Sequence, residues 1–227
     1  MYYHLFTFSG GLGMNLYSLF AYYLASPLNI LLLLFPETLL SEAVFVLTLV
    51  KVGFAGLAFH LFLKETFQRR GAFSVIFGAM YALSAFVMAY SWNIMWLDAL
   101  ILLPLVLWAL TRFIKKGKFA LYVVFLALLL ISNYYAAFFA CVFMLLYFPI
   151  LMSQHTVGWT GGRRFKVIMQ IIAATVIAVA LTAFLLLPAV QGLQHTSASG
   201  DKFPATVEFT ANPLAYLAQH FILLEPT

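Results

Sequence analysis

The stretch SWNIMWLDALILLP, Ser91 to Pro104, decides the fold. It joins two apolar runs and sets Trp92, Asn93, Trp96 and Asp98 within a few residues of each other. Asp98 is one of only seven acidic residues in 227, and the sequence after it, ALILLPLVLWAL, reads as lipid-buried helix. An acid beside such a run needs a physical reason, because a carboxylate in hydrocarbon is costly.

Composition sets the class. Hydrophobic residues make up 65% of the chain and charged residues 8%, with a mean hydropathy of +1.02. Soluble domains carry about 25% charged residues. Apolar runs long enough to cross a bilayer recur in solid blocks, which excludes the alternation of a β-barrel. The chain is therefore expected to be an all-α polytopic membrane protein. The net charge of +5 does not point to nucleic acid, because the basic residues sit in short clusters between apolar runs. Cys141 is the only cysteine, so neither an intrachain disulfide nor a cysteine metal site is possible. MYYHLFTFSGG lacks the basic start and apolar run of a signal peptide.

Residues 1–42 hold no Lys or Arg, and Pro27 and Pro36 bound the short apolar piece between them. This region reads as an extracytoplasmic loop with a re-entrant or interfacial segment. Residues 43–190 read as the transmembrane domain. Spans are expected at Ala43–Leu63, Ala72–Tyr90, Asp98–Phe113 and Val167–Val190. Phe119–Met152 is too long for one span and is interrupted by Ser132, Asn133, Tyr134 and Tyr135. Residues 191–227 form a polar tail or the start of a further loop.

Ten of the twelve Lys and Arg lie in three loops, 64–71, 112–118 and 153–166. The positive-inside rule places these in the cytoplasm. An even number of crossings must then separate the second loop from the third. Residues 119–152 are expected to be a broken pair of short helices, each about 14–17 residues, with SNYY at the outer turn. About six helical segments result, with both ends extracytoplasmic.

The order of motifs GGLGMNLYSLFAYYLASPLNILLLLFP, VLTLVKVGFAGLAF, YALSAF, NIMWLDALILLPLV and SNYYAAFF resembles the YfhO-type bacterial membrane proteins. The resemblance runs from about residue 8 to residue 150. It implies a GT-C-like glycosyltransferase of the bacterial plasma membrane. The implied reaction moves a sugar from a polyprenyl-phosphate donor to a cell-envelope polymer, such as lipoteichoic acid, on the outer face. Relatives are longer and begin with a further helix and an outer loop bearing an acidic residue thought to act as base. The first acid here is Glu37, so the chain is expected to be part of a larger protein.

Sugar transfer to a hydroxyl needs a carboxylate to take the proton. Asp98, expected at the outer mouth of its span, is the candidate; the alternative is a structural acid at a helix N-terminus. Lys51 lies about eight residues into its span, roughly 12 Å deep. It is a candidate for the donor phosphate, for pairing with Asp98, or for snorkelling outward. Trp96 reads either as an interfacial belt residue or as a platform for a sugar ring or prenyl chain. Asn93 reads as a helix cap or a sugar ligand, and Asn133, Tyr134 and Tyr135 as a turn or the lining of a binding site. The five histidines show no spacing for a metal site, and the resemblance leaves a divalent ion open. Two other functions fit the same features: a transporter or flippase component for lipid-linked precursors, and a catalytically inactive truncated remnant.

Overall fold

The computed structural model describes residues 6–7, 14–68 and 71–194. A two-residue antiparallel ladder, Phe6–Thr7 against Met14–Asn15, precedes a run of helices. These are α1 (Leu16–Leu19), α2 (Leu40–Thr66), α3 (Ala72–Ala82), α4 (Ala85–Tyr90), α5 (Ile94–Lys116), α6 (Ala120–Ser132), α7 (Tyr134–His155) and α8 (Gly161–Gln194). A π-helical turn, Phe20–Leu24, and a 3-10 helix, Pro27–Leu34, link α1 to α2. Residues Met1–Gly192 form one compact unit. Of the second, Leu193–Thr227, only the last two residues of α8 are described; the expected tail therefore begins inside α8, at 191–194, and its remainder lies outside the described residues.

Among the described residues, five helical stretches are long and apolar enough to cross a membrane, and α6 is a shorter apolar helix. The chain is an all-α polytopic membrane protein. Its surface is apolar in the way lipid requires, with Leu145, Met88, Ile76 and Val176 among the exposed side chains. α5 is the central helix. Its span is 61% buried, against 22–28% for the other four. This explains how the helix that carries Asp98 can tolerate it: protein, not lipid, surrounds that helix.

Several boundaries differ from the sequence expectation. The span expected at 72–90 breaks between α3 and α4. Ser84 is extended there (ψ 157°) and its carbonyl accepts from the Met88 N–H, opening a new helix. α5 begins at Ile94 rather than Asp98, so the acid lies a turn inside the helix and not at its mouth. The break in 119–152 falls at Asn133, but only α6 is short, at 13 residues. α7 runs for 22 residues because Asn133 caps it, accepting from the Ala136 N–H at 2.8 Å, and no later residue stops it. α6 spans about 20 Å at 1.5 Å per residue, less than a hydrocarbon core. More than half of its side chains are buried in the bundle.

Among the described residues, three α-helices contain an internal proline: Pro104 in α5, Pro149 in α7 and Pro188 in α8. A proline cannot donate to the carbonyl four residues earlier. In two cases a tyrosine from another segment takes that place. The Tyr81 hydroxyl of α3 donates to the Leu100 carbonyl at 3.0 Å, and the Tyr17 hydroxyl donates to the Phe184 carbonyl. Both satisfy a backbone group that hydrocarbon would leave unpaired. Other polar bridges join helices directly: Thr66 to Thr111 (α2 to α5, 3.1 Å) and Tyr122 to Thr175 (α6 to α8, 2.9 Å).

Candidate functional site

The polar residues of the sequence island gather at one end of the bundle, around the start of α5. The Lys51 ammonium meets the Asp98 carboxylate at 2.8 Å, with side-chain exposures of 0% and 2%. The same ammonium donates to Ser26 Oγ (3.3 Å), Asn29 Oδ1 (3.3 Å) and the Ile94 carbonyl (3.2 Å). Three N–H bonds thus face four oxygens, so no proton of the ammonium lacks a partner. The pair therefore ties the segment around the 3-10 helix to both α2 and α5. Of the three fates open to Lys51 on sequence grounds, pairing with Asp98 is the one the geometry displays.

Trp96 sits two residues before Asp98, about 200° round the helix. It therefore faces away from the ion pair. Its ring lies against Phe86 and Tyr90 of α4, with centroids 6.4 and 5.8 Å apart. It lines a crevice of about 270 Å³ with Phe86, Ala99, Leu100, Tyr135, Ala136 and Phe139. The indole N–H is buried and meets no acceptor among the described residues. Tyr135, half-exposed, forms the opposite wall from α7.

Asn93 is buried at the N-cap position of α5, but its side chain makes no capping hydrogen bond. The expected cap is therefore one of position only. Its φ of −83° and ψ of 70° do not give the usual extended cap geometry. Asn133 is buried at the start of α7 and its amide donates to the Tyr22 carbonyl at 3.2 Å. Tyr134 and Tyr135 meet Tyr22 ring to ring, with centroids 5.9 and 6.4 Å apart. The turn between α6 and α7 is thereby fastened to the segment before the 3-10 helix.

What reads as one polar island in sequence is thus two places on two faces of α5: a closed charge pair and an open aromatic crevice. The sequence reading missed Ser26, Asn29 and Tyr22. The first two carried a signal, since they are the polar residues of an otherwise apolar, proline-bounded segment. Among the described residues no three or more His, Cys, Asp or Glu side chains group as metal ligands.

A helical bundle with a buried ion pair and an aromatic crevice at one end defines a polytopic membrane protein with an intramembrane polar centre. The chain matches the family model described as bacterial membrane protein YfhO over residues 3–225, and it belongs to that family. No curated protein and no solved structure matches it.

Proposed function

We propose that the chain forms membrane-embedded machinery of a GT-C-like glycosyltransferase in the bacterial plasma membrane. It would move a sugar from a polyprenyl-phosphate donor to a cell-envelope polymer, such as lipoteichoic acid, on the outer face. Membership of the YfhO family supports this reading. The observation that carries it is the Trp96 crevice, where an aromatic wall holds a buried N–H with no acceptor. An unsatisfied buried donor costs about 1–3 kcal/mol, and a ligand oxygen there recovers it. Aromatic faces around a small crevice suit a sugar ring or the first isoprene units of the donor.

In transfer, the acceptor hydroxyl oxygen attacks the anomeric carbon. The bond from that carbon to the phosphate oxygen breaks, and polyprenyl phosphate leaves with the electron pair. The acceptor proton passes to a base. Asp98 and Lys51 are assigned as positioning residues, because both are buried and paired with each other at 2.8 Å. They hold the 3-10 segment against the N-terminal end of α5, the end from which Trp96 faces the donor. The base is not assigned to either residue of the pair. The positive charge of loops 64–71, 112–118 and 153–166 supports a cytoplasmic position for them and an outer position for this end.

The test is transfer of a labelled sugar from a polyprenyl-phosphate donor by the full-length protein in proteoliposomes. Transfer that falls at least about tenfold in Trp96→Ala, equivalent to 1.4 kcal/mol, supports the reading. Donor that crosses the bilayer without transfer points instead to a transporter. Full transfer by Trp96→Ala removes the crevice from the mechanism.

A further inference from the structure

We propose a second ligand site at the opposite, basic end of the bundle: a pocket for the phosphate of an anionic phospholipid, between the ends of α2 and α5. This site is independent of the sugar-transfer reading, and it holds whichever leaflet that end faces.

The cavity there has a volume of about 600 Å³, within the roughly 300–1,000 Å³ of small-molecule sites. Lys64, Lys115 and Lys116 line it with one acid, Glu65, a net of two positive charges. Glu65 is already engaged. Its carboxylate meets Lys116 at 3.5 Å, and its backbone carbonyl accepts from Lys115 at 2.8 Å. Lys64 makes no ion pair among the described residues.

The deeper wall is Trp108, about 10 Å along α5 from Lys115 at 1.5 Å per residue. The Arg112 guanidinium lies over the Trp108 ring, 4.9 Å from its centroid, and Arg112 Nε is buried with no acceptor among the described residues. Cations at the rim and a tryptophan one layer deeper match a lipid that lies along the helix, phosphate at the interface and chain against the ring. A free phosphate would use the lysines and leave the indole wall unused. Gln68 adds an amide donor to the lining from a left-handed backbone (φ 54°) that a side chain rarely adopts.

The test uses the full chain in detergent, titrated with phosphatidylglycerol, phosphatidylcholine of the same chains, and inorganic phosphate, and read by native mass spectrometry. Phosphatidylglycerol is expected to stay bound where phosphatidylcholine is lost. At ~1 kcal/mol per lysine, Lys64→Gln with Lys116→Gln weakens it roughly 25-fold, while Lys118→Gln with Lys166→Gln changes it by less than about twofold. Lys64→Arg with Lys116→Arg keeps it bound. All three double variants change lysines at or near the surface, and an unchanged melting temperature confirms their fold. Equal loss in the two glutamine variants overturns the site, as does equal retention of the two lipids. Displacement of phosphatidylglycerol by equimolar inorganic phosphate assigns the pocket to a free anion and overturns the lipid.

Discussion

At Lys51 and Asp98, two charges hold each other where neither could stand alone. Breaking a buried pair by removing one partner costs about 3–5 kcal/mol, whereas replacing both by apolar residues of similar volume is often neutral. Lys51→Met and Asp98→Leu are each expected to lower stability in detergent by that amount. The double variant should recover most of it, as measured by a double-mutant cycle of thermal unfolding. Strictly additive losses would mean the pair does not interact in the folded protein. Both residues were legible in sequence, as lone charges inside apolar runs. Ser26 and Asn29 were not assigned to them, because the 22 to 25 residues between them and Lys51 leave the docking of the 3-10 segment undetermined. Trp96 was legible as a candidate, but its separation from Asp98 follows only once the helix is known to start at Ile94.

Among the elements, α5 depends on a bond that its own backbone cannot make. Pro104 leaves the Leu100 carbonyl open and Tyr81 closes it. Tyr81→Phe is expected to destabilise by about 1–3 kcal/mol, the cost of one unsatisfied buried group. In a Pro104→Ala background the helix closes its own bond and the same substitution should cost much less. Thermal melts of the four proteins test this, and an undiminished loss in the alanine background contradicts it. The crossing of α2 and α3 is equally specific. A Cβ on Gly78 would lie 2.8 Å from the Gly56 carbonyl oxygen, while one on Gly53 meets nothing within 4 Å. Gly78→Ala is therefore expected to cost about 1–3 kcal/mol through overpacking. Gly53→Ala should be neutral or stabilising by up to about 1 kcal/mol, since alanine favours helix. Helix locations were readable from hydropathy, apart from the length of α7 and the break at Ser84. Both depend on local backbone bonds that hydropathy does not encode.

Over the whole molecule, the basic loops and the polar centre occupy opposite ends of the bundle. Charge clusters made that division legible, because the same residues that set orientation also mark where spans end. The joining of α1, the 3-10 helix, the α6–α7 turn and the end of α8 at one end was only partly legible. It rests on long-range bonds such as Asn133 to Tyr22 and Tyr17 to Phe184. Sidedness has a direct check in a Cys141→Ser background. A membrane-impermeant maleimide should label Trp92→Cys in intact cells and Lys118→Cys only after permeabilisation; the reverse pattern inverts the topology. The Lys51–Asp98 pair is claimed here to fasten the 3-10 segment to α5. Spin labels at Leu31→Cys and Trp92→Cys, both exposed positions, report that docking through their distance distribution in the same background. One narrow distribution that broadens in Asp98→Asn is the expected result. A distribution unchanged by loss of the charge would contradict the claim.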